Sequence, residues 1–137
     1  KIKLSQKISK CIKDLLSDAN QIVTTVSFEK CKSLQKNKNF VFVDLRDYRE
    51  ILKDGKIPGA FSCPRGMLEF WIDPDSPYHK EFFNQDKTYI FYCASAWRSA
   101  LAAKVAMEMG LSPVVHLEGG FNEWLKQGGA IETIHKK

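Results

Sequence analysis

Short apolar runs alternate with amphipathic stretches along this chain. Phe40-Val41-Phe42-Val43 and Tyr89-Ile90-Phe91-Tyr92 are unbroken apolar runs, the pattern of strands in a parallel sheet that is covered on both faces. Ala60-Phe61-Ser62 and Pro113-Val114-Val115-His116 predict two further strands, and the β-branched Asn20–Thr25 region a short one before them. Between these lie helical stretches. Ser27 caps a predicted helix through Leu34, residues 47–53 make a short one ended by Asp54-Gly55, and Arg65–Trp71 make a turn or two stopped near Pro74. Residues 78–84 also read as helical, Ser99–Met109 as a long helix closed by Gly110, and Phe121–Gln127 as a helix before Gly128-Gly129. Strands alternating with helices predict an α/β domain built on a parallel sheet.

The N-terminal stretch differs in character. Leu4, Ile8, Cys11, Ile12 and Leu15 share one face at helical spacing over residues 4–16, with lysines mostly opposite. The expected organisation is an amphipathic helical extension over residues 1–20, lying on its own domain, followed by one domain over residues 21–137.

The charge balance changes little in this picture. The net charge is +5, but seven of the 21 basic residues (Lys1, Lys3, Lys7, Lys10, Lys13, Lys136 and Lys137) sit at the two ends. The remaining 14 face 16 acidic residues, so the body is slightly acidic and carries no basic stripe for nucleic acid. At 44% hydrophobic and 27% charged, the composition is that of an ordinary globular domain. No signal peptide or membrane-length apolar run stands out, and membrane contact is not expected. The four cysteines, Cys11, Cys31, Cys63 and Cys93, show no CxxC pair. Free thiols of this kind point to a reducing compartment, the cytoplasm. No phosphate loop, dinucleotide fingerprint or metal-ligand cluster is present, so neither a cofactor nor a metal is expected.

The chemistry concentrates at Cys93. In open parallel sheets, ligands bind beyond the carboxyl ends of the strands. Cys93 follows directly on the Tyr89–Tyr92 strand, with the loop Ala94-Ser95-Ala96-Trp97-Arg98 leading into the helix that begins at Ser99. Unpaired amides and the helix dipole at such a helix start favour an anion, so a thiolate is expected there. Arg98 adds a permanent positive charge. A thiolate in an amide cradle can attack phosphorus or can take up a sulfane sulfur as a persulfide. The phosphatase signature spaces Cys and Arg by five residues, whereas four separate Cys93 from Arg98 and the next residue is Ser99. The tighter loop suits a persulfide. A small buried cysteine with no chemical role is the alternative on position alone.

Four segments then carry a family resemblance, in order along residues 22–130. They are Asp44-Leu45-Arg46, Gly55-Lys56-Ile57-Pro58-Gly59-Ala60, Cys93-Ala94-Ser95-Ala96-Trp97-Arg98-Ser99 and Gly119-Gly120-Phe121-Asn122-Glu123-Trp124. Together they resemble the rhodanese family. The resemblance implies a five-stranded parallel sheet with helices on both faces. It also implies a sulfurtransferase in which Cys93 carries the sulfur, residues Ala94, Ser95, Ala96, Trp97, Arg98 and Ser99 form the persulfide-binding loop, and Asp44 and Arg46 play supporting roles. The expected partners are a small sulfur donor, thiosulfate or another persulfide, and a thiol or protein acceptor, cyanide serving in an assay. A non-catalytic binding module on the same fold is the alternative.

Three departures from the family pattern qualify this. Lys56 replaces the usual His, and Ala96 stands where Gly is common, so a positive φ there would cost about 1 kcal/mol or more. Ala94 and Ser95 are neutral where thiosulfate-specific members carry a cation, leaving Arg49, Arg65 or Arg98 as substitutes. Around the site, Asp44 is expected to tie loops together, and Arg46 to pair with Asp44 or Glu50. Gly119 and Gly120 are expected to let backbone approach the loop. The apolar segment from Gly66 to Ile72, with Trp97, is a candidate pocket wall. His116 is expected to be structural, Cys63 to be buried, and Cys11 and Cys31 to serve packing.

Overall fold

The computed structural model describes residues 5–135, so Leu4 and the terminal lysines Lys1, Lys3, Lys136 and Lys137 lie outside the described residues. Five strands, β1 (Thr24–Val26), β2 (Phe40–Asp44), β3 (Phe61–Ser62), β4 (Thr88–Tyr92) and β5 (Val114–Leu117), form one sheet in the order β1-β5-β4-β2-β3. Every pairing in it is parallel, so all five carboxyl ends lie along one edge. The described residues also form six α-helices, α1 (Ile12–Ile22), α2 (Phe28–Leu34), α3 (Tyr48–Asp54), α4 (Leu68–Ile72), α5 (Trp97–Glu108) and α6 (Gly120–Lys126), of which α2 to α5 connect successive strands.

The strands obey a period of two that distributes their residues between two cores. Val43, Tyr89, Phe91 and Val114 face one side, where they pack with Leu68 and Ile72 of α4 and Ala102, Ala103 and Ala106 of α5. Phe42, Ile90, Tyr92 and Leu117 face the other, against Phe28, Cys31 and Leu34 of α2 and Phe121 and Trp124 of α6. Both faces being covered is what makes the strand sequences continuously apolar. Parity also decides where loop residues point: Cys93, two beyond Phe91, continues into the first core.

Helix α1 starts at Ile12, later than the apolar spacing from Leu4 predicts. The Cys11 N–H and thiol both donate to the Asp14 carboxylate, at 3.2 and 3.3 Å, which fixes the helix start at that point. Cys11 is consequently exposed rather than packed. The helix lies against α5, with Ala19 fully buried. The helix expected over residues 78–84 reduces to a single 3-10 turn, Glu81–Phe83. Here aromatic packing outweighs helix propensity. Phe82 stacks on Phe61 with centroids 3.9 Å apart, Phe83 stacks on Tyr89 at 5.8 Å, and the Lys80 N–H is drawn to the Trp71 carbonyl at 3.0 Å. A cleft of about 370 Å³ lined by Ile72, Asp73, Pro74, Phe83, Met109, Gly110 and Leu111 opens at the C-terminal end of α5. It lies at the opposite end of α5 from the Cys93 loop, and Ile72 lines it.

Candidate active site

Central strand β4 delivers Cys93 to the carboxyl edge, and α5 begins only four residues later. The helix starts at Trp97, two residues earlier than its apolar spacing suggests, so the loop proper is Ala94-Ser95-Ala96. Ala96 closes it in the left-handed region, with φ 71°. Such a turn is what lets a loop this short reverse into a helix, and in a non-glycine residue it stores strain. The Cys93 residue is only 1% exposed. Its sulfur accepts a hydrogen bond from the Ser99 N–H at 3.3 Å. Ser99 is the third residue of α5, and its N–H has no carbonyl partner within the helix. Among the described residues it is the loop amide that reaches the sulfur, where the sequence suggested several.

The loop is held from behind by α6. The Phe121 N–H donates to the Cys93 carbonyl at 2.8 Å, and the Asn122 N–H to the Ala94 carbonyl at 3.0 Å. This approach requires a glycine at 120. A Cβ there would stand 2.6 Å from both carbonyl oxygens, and its φ of 63° is in the left-handed region.

Two anchors fix the first turn of α5. The Arg98 guanidinium donates from both Nη atoms to the Glu50 carboxylate of α3, at 2.7 and 3.0 Å. Glu50 hydrogen-bonding raises the Arg98 pKa further, and the same pair lowers that of Glu50. On the other side, Ser99 Oγ lies 2.9 Å from Nδ1 of His116 on β5, and His116 Nε2 lies 3.1 Å from Thr25 Oγ1 on β1. Burial pushes the His116 pKa down to about 4, so the imidazole is neutral near pH 7. His116 therefore does meet the loop, through Ser99. No spacing in the sequence links residues 25, 99 and 116.

Asp44 and Arg46 lie on the other face of the sheet. Asp44 pairs with Tyr92 in register, and parity sends both away from Cys93. Asp44 accepts from the Arg46 backbone N–H and Nε at 3.0 Å each, and from Arg46 Nη2 and the Tyr92 hydroxyl at 2.7 Å each. Arg46 also donates to the Gly55 carbonyl at 2.7 Å and stacks its guanidinium 4.2 Å from the Phe121 ring centroid. Both residues are buried. Their geometry ties the loop after β2 to α6 and leaves the Arg46 charge fully engaged.

Of the remaining cations, Arg65 is bound by Glu69 at 2.9 Å, while Arg49 is exposed on α3. Cys63 is fully buried, and desolvation pushes its thiol up to about 12. Trp97 stands 60% exposed beside the loop. Among the described residues, no group of His, Cys, Asp and Glu is arranged to hold a metal ion, and no helix is long and apolar enough to cross a membrane.

Comparison with known proteins places this geometry. The family model for the rhodanese-like domain matches residues 27–127. A mouse (Mus musculus) protein named thiosulfate sulfurtransferase/rhodanese-like domain-containing protein 3 is 30% identical over 105 residues, covering 73% of this chain and 67% of its own length. The thiosulfate:glutathione sulfurtransferase of Saccharomyces cerevisiae is 32% identical over 115 residues, covering 78% of this chain and 81% of that protein. A solved structure from Rhodopseudomonas palustris, of a protein of unknown function described as a possible tyrosine phosphatase, superposes with a TM-score of 0.92 at 54% identity. It covers 95% of this chain and 100% of that one.

Proposed function

The chain belongs to the rhodanese-like domain family, and on that premise we propose that it is a sulfurtransferase carrying sulfane sulfur as a persulfide on Cys93. The observation that carries this reading is the Ser99 N–H directed at the Cys93 sulfur at the start of α5. The Cys93 thiolate attacks the outer sulfur of a donor, the donor's S–S bond breaks, and the donor leaves with the electron pair. An acceptor thiolate then attacks the outer sulfur of Cys93-S-S⁻ and departs as a persulfide, restoring the thiolate. Electrons balance without an external oxidant or reductant, and the two half-reactions predict ping-pong kinetics. Burial of the sulfur protects the persulfide between them, while exposed Ser95 and Trp97 mark the side from which donor and acceptor approach.

The charges around the loop favour a thiol-bound persulfide over thiosulfate as donor. Ala94 and Ser95 are neutral, and Glu50 and Glu69 engage Arg98 and Arg65, so neither the loop residues nor these two arginines offer a free positive charge to a sulfonate. A higher kcat/KM for glutathione persulfide than for thiosulfate is the expected outcome.

The description of the Rhodopseudomonas palustris relative favours a second reading, a cysteine phosphatase. Against it stand the short loop, Ser99 in place of the signature arginine, and an Arg98 guanidinium committed to Glu50. Intact-mass spectrometry after incubation with sulfane donors, alongside a phosphate-ester assay, separates the readings. A reducible one-sulfur gain in the wild-type protein, absent from Cys93→Ser, is expected. Failure to gain sulfur from any donor, with Cys93-dependent ester hydrolysis, overturns the proposal. A cellular role that survives Cys93→Ser intact would instead support the non-catalytic binding module.

A further inference from the structure

We infer that His116 is a positioning residue that acts through Ser99 to aim its N–H at the Cys93 sulfur. The assignment rests on Cys93 being the nucleophile proposed above. Four elements join in one chain of contacts: Thr25 of β1 to His116 of β5 at 3.1 Å, His116 to Ser99 of α5 at 2.9 Å, and Ser99 N–H to the sulfur beyond β4 at 3.3 Å.

The start of α5 needs such an anchor. Its cap residue is Ala96, which offers no side-chain hydrogen bond to the helix start. The first intrahelical bond, from the Ala100 N–H to the Ala96 carbonyl, is 3.3 Å long. Rotation of this turn about the helix axis swings the Ser99 N–H off the sulfur, and hydrogen bonds weaken steeply with misalignment. Arg98 restrains the turn toward α3 through Glu50, and His116 restrains it toward the sheet. The two restraints pull on adjacent residues from different sides, which leaves the third N–H in one orientation.

A neutral imidazole suits the task. It has one donor and one acceptor nitrogen, and each faces a hydroxyl that can play either part. Burial holds the ring neutral, so the clamp places no charge of its own near the sulfur. The Arg98 guanidinium is committed to Glu50, a pairing untouched by changes at 99 or 116.

The test is the rate of Cys93 alkylation by iodoacetamide at fixed neutral pH, read by mass spectrometry on the Cys93 peptide, because exposed Cys11 also reacts. This reads the sulfur itself, so it stands or fails separately from sulfur transfer. Ser99→Ala keeps the N–H but loses the clamp, and His116→Val removes it from the other end. Each is expected to slow alkylation about tenfold, and the double variant no further than the slower single. His116→Asn places an amide where Nδ1 stood and is expected to stay within about twofold of wild type, whereas His116→Gln, which reaches only toward Thr25, is slow. A purely structural histidine predicts rates that follow thermal stability regardless of which nitrogen is replaced. Equal rates across the set, or equal slowing by Asn and Gln, overturn the inference.

Discussion

Two backbone positions show how much of the site depends on single residues. At Ala96 the left-handed conformation costs a non-glycine residue roughly 1–2 kcal/mol, whereas glycine adds an entropic cost of roughly 0.5–1 kcal/mol. The steric term is larger, so Ala96→Gly is expected to stabilise the protein by about 0.5–1 kcal/mol, visible as a raised Tm. Gly120 runs the other way. Its alanine variant meets two carbonyl oxygens at 2.6 Å as well as an unfavourable φ, so a loss of at least about 2 kcal/mol is expected. Sulfur transfer should fall with it, because the strained contact is made with Cys93 itself. Denaturant melts of the two variants, compared with wild type, check both signs.

At the scale of elements, two carboxylate–arginine pairs have different weights. Asp44 and Arg46 are buried together, and Asp44→Ala leaves a guanidinium without its partner, a change expected to cost about 3–5 kcal/mol. Arg98 and Glu50 are partly exposed, so Glu50→Gln is expected to cost no more than about 1 kcal/mol. Urea titrations on both variants measure the contrast. The elements themselves were largely legible. Strands β2 and β4 announce themselves because burial on both faces leaves the unbroken runs Phe40–Val43 and Tyr89–Tyr92, and Ser27 and Asp47 supply side chains that cap α2 and α3. The start of α1 was not legible, because a cysteine with a following aspartate is not an ordinary cap signal. At the site, position 93 and the need for glycine at 120 could be read from the order of motifs. The separation of Asp44 from Cys93 was not legible, since it follows from the register that pairs Asp44 with Tyr92 and so puts the next residue on the opposite face. The Ser99–His116–Thr25 contacts were hidden, because they depend on strand order, which local sequence does not encode.

For the whole molecule, the buried ionisable groups set the pH limits. An unfolded His116 titrates near 6.5 and the folded one at about 4. Between those values the unfolded chain holds the proton and the folded chain does not, so acid favours unfolding. Stability is expected to be fully present above pH 6.5 and to fall as pH drops toward 4, by up to about 3 kcal/mol from this group. Because His116→Asn removes the titrating ring, it should flatten that limb of the stability–pH curve. Cys31 and Cys63 act at the other end. Burial pushes both thiols up to about 12, against an ordinary value of 9.0. The unfolded chain therefore loses these protons first, and stability is expected to decline as pH rises above 9. Equilibrium unfolding across the pH range reads both limbs.

The carbonyls of Cys93 and Ala94 are occupied by amides some thirty residues downstream, and the segment beyond reinforces this. Glu132 pairs its backbone with Lys56, at 2.8 and 2.9 Å, and Trp124 Nε1 donates to the Ala130 carbonyl at 2.8 Å. A chain cut just before Gly119 would therefore carry Cys93 with two main-chain acceptors still seeking donors. In a series of C-terminal truncations, reactivity should appear abruptly, once the closing helix is long enough to dock, and not in proportion to chain length.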